Sequence, residues 1–128
     1  MPHLSIEYSA SLDGRLDIQA LCEALAETIV ASGLFELGAV RVRAHRAAAF
    51  AIADRHAENG FLDMAFRIGE GRTQDEKKRV GEAIFATASE RCRALLETPH
   101  FALSLEVREI DAELSWKQNS MHPRLRGK

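Results

Sequence analysis

A chain of 128 residues, 46% hydrophobic and 28% charged, is enough for one domain with a single buried core. Its formal net charge of −2 gives no overall basic field to hold nucleic acid and no acidic excess of the kind that keeps a tail solvated. The longest small-apolar run, AAAFAIA at 47–53, is too short to cross a bilayer.

The chain opens MPHLSIEYS. Over residues 2–8, Leu4, Ile6 and Tyr8 alternate with His3, Ser5 and Glu7, the pattern of a half-buried strand. From Asp17 the period changes: Ile18, Leu21, Cys22, Leu25 and Ile29 form a helical stripe with Asp17 as N-cap and Gly33 as stop. After the turn-like GLFELG, alternation returns in VRVRAHR at 40–46, placing Arg41, Arg43 and His45 on one face. The sequence then repeats the order. Leu62, Met64, Phe66 and Ile68 alternate with Asp63, Ala65 and Arg67. GEGR follows at 69–72, and TQDE at 73–76 has capping-box spacing. Val80, Ile84, Ala88 and Leu95 mark a long helix, Pro99 lies beyond it, and Phe101, Leu103, Leu105 and Val107 form a further strand.

The pattern is strand–helix–strand twice: a single domain over 1–128, in halves of about 1–56 and 60–114, with an arm at 115–128. Right-handed crossovers put both helices on the same side. The predicted fold is α/β (α+β), a four-stranded mixed sheet with two helices on one face. The other face carries Ser5, Glu7, Arg41, Arg43, Asp63, Arg67, Ser104, Glu106 and Arg108, and is either solvated or in contact with other subunits. ELSWKQNSMHP has little regular pattern. Trp116 is expected either to anchor an arm that wraps a neighbour or closes a pocket, or to cover its own core. The basic end, PRLRGK at 123–128, reads as a frayed, solvated tail.

Cys22 and Cys92 lack a CxxC partner and read as small buried residues in a reducing compartment. The five histidines, at 3, 45, 56, 100 and 122, show no HExxH-like spacing, so no metal is expected. The start lacks a signal peptide's charged region and apolar core, and the expected location is the cytoplasm. There is no GxSxG elbow and no P-loop.

Three features carry chemistry. Arg72, at the head of the second helix, is either a solvated loop residue or, with the helix's free N–H groups, a carboxylate seat. Arg41 and Arg43 either pair with Glu7 and Glu106 or line an anion pocket. Pro2 is either a strand opener or the working group. Methionine aminopeptidases act when the second residue is small, which would leave Pro2 with a free secondary amine. Nearby guanidinium groups and a dry pocket would pull its pKa toward neutrality, where a base can take a proton from one atom and return it to another.

Taken together, MPHLSIEYS, the VRVRAH strand, the IGEGR turn and FALSLEVREI followed by SWKQNSMH resemble the tautomerase superfamily. More specifically, they resemble the 5-carboxymethyl-2-hydroxymuconate Δ-isomerases, over nearly the whole chain. The resemblance implies a tautomerase-like homotrimer without cofactor or metal. The implied reaction is a proton shift in a carboxylated dienol from homoprotocatechuate (4-hydroxyphenylacetate) breakdown. It implies Pro2 as general acid–base and Arg41 and Arg72 as carboxylate-binding residues. Arg43, His45 and Trp116 are substrate-binding candidates by position. Arg15 of DGRLD is a rough counterpart of Arg72, whereas Arg41 is matched by Glu106, so one competent site per chain is expected. Two alternatives keep the fold: another activity of the superfamily, on a different enol or a haloacrylate, and a binding module without catalysis.

Overall fold

A computed structural model describes residues 1–127; Lys128, the last residue of the predicted tail, lies outside the described residues. The four strands are β1 (His3–Ser9), β2 (Arg41–Ala47), β3 (Gly60–Gly69) and β4 (Phe101–Ile110). The two long helices are α1 (Ile18–Ala31) and α2 (Gln74–Arg91), followed by the single turn α3 (Arg93–Leu96) and a short α4 (Met121–Arg126). The sheet order is β2-β1-β3-β4. β1–β2 and β3–β4 are parallel, as each strand–helix–strand crossover requires, and the two halves meet antiparallel at β1–β3.

Alternation decides which face is buried. Leu4 and Ile6 of β1, and Leu62, Met64, Phe66 and Ile68 of β3, lie under the helices with essentially no exposure. Leu21, Leu25 and Ile29 of α1 and Val80, Ile84 and Ala88 of α2 complete the core. Each large side chain contributes roughly 1.5–3 kcal/mol by leaving water. Between the helices, the Thr28 and Thr87 hydroxyls hydrogen-bond at 2.7 Å. Gly81 lets α2 lie close to β4, since a Cβ there would sit 3.3 Å from Val107.

The caps form as the sequence predicts. Asp17 accepts from the Ala20 N–H at 3.0 Å, Thr73 and Glu76 form a reciprocal capping box, and Gly33 leaves α1 with φ +74°. The second helix is shorter than its apolar stripe suggests. Cys92, at φ −99° and ψ 13°, interrupts it, and Leu95 belongs to the separate turn α3.

The predicted frayed tail is corrected. Residues 121–126 form α4, which packs on the 3₁₀ turn Leu37–Ala39. Arg126 donates through Nε and Nη2 to Glu36, and Asn119 Nδ2 donates to the Gly38 carbonyl at 2.8 Å. A basic segment that finds an acidic residue, and whose preceding residues are already tied down, need not fray. Trp116 does not cover its own core: it is 86% exposed, because the arm is tied down at Ala112 and Asn119, on either side of it.

Candidate active site at the head of the first strand

Pro2 lies directly ahead of β1 and is buried. Its carbonyl accepts the Arg41 N–H at 3.2 Å, which starts the parallel pairing and sets Arg41 beside the head of the chain. The GEGR turn is folded by Gly71 at φ +109°, a conformation only glycine adopts freely, and it delivers Arg72 to the same end of the sheet.

Both arginines are held by backbone carbonyls. Arg41 Nη1 donates to Gly38 and Ala39. Arg72 donates to Gly69 and, across the two halves, to Leu34. The Arg72 guanidinium also lies 4.2 Å over the Phe35 ring, which meets Phe66 edge-on at 5.8 Å. These contacts fix each guanidinium while using only part of its donor set.

Two cavities flank the chain's amino end. One, of about 560 Å³, is lined by Pro2, Phe35, Arg72, Asn119 and His122. The other, of about 580 Å³ on the outer face of the sheet, is lined by His3, Arg41, Arg67, Glu70 and Trp116. Met1 and Lys117 line both. The α-amino group is drawn below the ordinary range of such amines, first by burial and then by the positive charges of Lys117, Arg72, Arg41 and Arg67. An amine here gives up its proton more readily than one in water.

The structure brings Pro2, Arg41, Arg72 and Trp116 to these two cavities. Arg43 and His45 line neither. Arg43 points its Nη1 at His3 Nδ1, 3.2 Å away. His45, four residues along from Arg41, is exposed and in register with Glu7. The alternative pairing with Glu7 and Glu106 is not formed: among the described residues Arg41 and Arg43 make no ion pair, and Glu106 binds Arg108. Arg15, the counterpart of Arg72, donates to the Ser11 and Glu58 carbonyls and serves as a loop tie.

Sequence reasoning missed His3, Arg67 and Lys117 as parts of the site. The strand pattern placed His3 and Arg67 on the outer face, and their register with Arg41 was the unused signal; Lys117 sits in an arm without periodicity. One further cluster, His56, Glu58 and His100, has ligand atoms within 4.8 Å of one another. The two rings are stacked at 4.1 Å and 18°, so their in-plane lone pairs run side by side rather than converge. His56 Nδ1 already accepts the Glu58 N–H. This geometry closes a loop and is poorly shaped for a metal ion.

A sequence profile of the 5-carboxymethyl-2-hydroxymuconate isomerases matches residues 2–125. The chain belongs to this family. It is 31% identical over 122 residues to the 5-carboxymethyl-2-hydroxymuconate Delta-isomerase of Escherichia coli, covering 95% of this chain and 97% of that one. The crystal structure of a 5-carboxymethyl-2-hydroxymuconate isomerase from Deinococcus radiodurans R1 superposes with a TM-score of 0.90 at 32% identity, covering 96% of this chain and 92% of that chain. A fused 4-OT, described as a symmetric trimer, shares the fold at a TM-score of 0.66 and 17% identity, covering 91% of this chain and 93% of that one. The two cavities are therefore the candidate active site of a member of the isomerase family.

Proposed function

We propose that this chain isomerises 5-carboxymethyl-2-hydroxymuconate, using the Pro2 amine, exposed by removal of Met1, as the acid–base group. The amine takes the proton of the 2-hydroxyl. The electron pair moves through the conjugated diene as the C2–O bond becomes a carbonyl. The resulting ammonium delivers its proton to C5, so one O–H bond is exchanged for one C–H bond and nothing is oxidised or reduced. Such a shuttle needs a base whose proton moves easily in both directions near neutral pH. Arg41 and Arg72 bind carboxylates and stabilise the negative charge that develops on the dienolate oxygen.

The observation that carries this reading is the amine itself, partly buried between two cavities and surrounded by Lys117, Arg72, Arg41 and Arg67. The same desolvation and cationic field would act on a Pro2 amine one residue further in. No cofactor or metal enters the reaction as written. The proposed setting is cytoplasmic breakdown of aromatic acids through homoprotocatechuate. The proposed assembly is a homotrimer, in keeping with the open edges of β2 and β4 and with Leu114 and Trp116, which are 72% and 86% exposed. No helix among the described residues is long and apolar enough to cross a membrane.

The test combines intact mass with steady-state turnover. The mature chain is expected to lack Met1. Pro2→Ala, which leaves a primary amine on a more mobile residue, is expected to lose about 10²-fold or more in kcat. Full activity in Pro2→Ala, or in protein that retains Met1, would refute the assignment.

A further inference from the structure

The outer face of the sheet carries an arrangement that the fold does not need. His3 is in register with Arg41 on β2 and with Arg67 on β3, and Arg67 is in register with Arg108 on β4. Residues in register share a face, so three guanidinium groups and an imidazole form one row across four strands. Like charges placed opposite one another destabilise a sheet.

The carboxylates of this face do not neutralise the middle of the row. Glu106 pairs with Arg108, Asp63 accepts from the Ser104 hydroxyl at 2.5 Å, and Glu70 accepts the Ala112 N–H at 3.1 Å. Among the described residues, Arg41 and Arg67 have no carboxylate partner in an ion pair. Both line the outer-face cavity together with His3 and Lys117.

His3 is set up as a donor. A guanidinium can only donate, so His3 Nδ1 must accept from Arg43, which leaves the ring proton of the neutral imidazole on Nε2. Burial, then Arg67, Arg43, Arg41 and the chain's own amine all lower the His3 pKa, keeping the ring neutral. Among the described residues, the cavity's one acidic lining residue, Glu70, accepts the Ala112 N–H and stands against two guanidinium groups without a carboxylate partner, an ammonium and a neutral N–H donor, a balance that suits a carboxylate.

We infer that Arg67, with Arg41, His3 and Lys117, forms a second carboxylate seat in the outer-face cavity, distinct from the cavity that Arg72 lines and joined to it at Met1. A ligand with acid groups at both ends of a conjugated chain spans the amine from one cavity to the other, which selects dicarboxylates over monocarboxylates. This deepens the isomerase reading and rests on it for the reacting carbons, but binding can be measured without turnover.

The probes are muconate, a diene with a carboxylate at each end, and sorbate, which has only one. Neither carries the enol hydroxyl, so neither can undergo the proposed reaction. Calorimetry on the full chain is expected to show tighter binding of muconate than of sorbate. Arg67→Gln should weaken muconate by about tenfold or more, the loss of one charge-assisted contact, while changing sorbate less than twofold. Arg67→Lys should restore most of the difference. Equal losses for both ligands, no loss for muconate, or no preference in the unsubstituted chain would each overturn the seat. Muconate selectivity that depends on Arg67, in a chain that does not turn over the dienol, would support the seat and refute the isomerase reading.

Discussion

Arg72 is held by contacts that also hold the two halves together, so its removal tests two roles at once. In Arg72→Met the stem stays against Phe35, but the guanidinium disappears. Two hydrogen bonds are lost, to Gly69 O at 3.3 Å and Leu34 O at 2.9 Å, along with the cation–π contact at 4.2 Å. The longer bond is weak and both carbonyls can partly recover water. A charge-assisted bond and a half-exposed cation–π contact then amount to about 2–3 kcal/mol. For a domain of this size that is a fall in Tm of about 8–12 °C. If Arg72 also seats a carboxylate, kcat/KM should fall about 30- to 150-fold at a temperature where the variant is still folded. Arg15→Met is the control. Its bonds at 3.3 and 3.1 Å are exposed, its loss should cost about 1 kcal/mol, and kcat/KM should not change. Differential scanning calorimetry and initial rates separate the two roles. An Arg72→Met protein as stable as the parent refutes the tie between the halves; one that is less stable but equally active refutes the substrate seat.

Lys117→Met removes the largest of the charge effects that lower the pKa of the Met1 amine, a field that would also act on a Pro2 amine one residue further in. The active base is the neutral amine, so raising its pKa moves the acid limb of the kcat/KM profile to higher pH, and the loss is greatest on the acid side. A limb that stays in place would contradict the electrostatic account. At Gly60 a Cβ would lie 2.5 Å from Leu12 Cδ2, and Leu12 is only 1% exposed. Gly60→Ala should therefore cost about 1–3 kcal/mol in urea denaturation, and an unchanged midpoint would refute the close packing. The Glu36 carboxyl is held below its usual range by its hydrogen bond to Arg126, which pins α4. The stabilisation is complete above the ordinary glutamate pKa and is lost as pH falls through the lowered one. Hydrogen exchange should then speed up in residues 121–126 before it does in α1, and simultaneous loss would count against a separate α4.

What the sequence made legible follows from how local each signal is. Alternation and helical period depend on nearest neighbours, and they recover every strand and both long helices, as do the caps at Asp17 and Thr73. The break at Cys92 was hidden because an apolar residue there satisfies the stripe whether or not the backbone stays helical. α4 was hidden because its support lies some 85 residues earlier, in Glu36 and Gly38. Trp116 fits either an arm or a core in the sequence, because a lone large aromatic usually finds a core; the ties at Ala112 and Asn119 decide for the arm and leave the ring outside, lining the outer-face cavity. Chemistry and resemblance single out Pro2, Arg41 and Arg72, and the three do share a neighbourhood. Arg43 and His45 share only a strand face with Arg41. Face is not position: two residues along the strand, Arg43 already serves His3, and His45 lies further still from the amine.

The two halves repeat a scaffold but cannot repeat a site whose base is a chain terminus. Where the first half begins at Pro2, the second begins at Gly60, whose nitrogen is a peptide N–H donating to the His100 carbonyl at 2.8 Å. A peptide nitrogen carries no usable lone pair, so the second strand head can be bound but cannot act as a base. The site's arginines have no working counterpart there: Arg15 ties only its Nη1 to the Ser11 and Glu58 carbonyls, and the β4 residue that pairs with Phe61 as Arg41 pairs with His3 is the uncharged Ala102, not the Glu106 that the sequence suggests. The candidate site instead collects parts from everywhere else in the chain: the proposed amine from the residue ahead of β1, Arg41 from β2, Arg67 from β3, Arg72 from the turn before α2 and Lys117 from the arm. On the proposed reading, duplication of the strand–helix–strand unit supplied the rigid frame, and its divergence let one end become catalytic while the other only closes the fold. One saturable muconate site per chain is the expected stoichiometry, and two equivalent sites would contradict this division of labour.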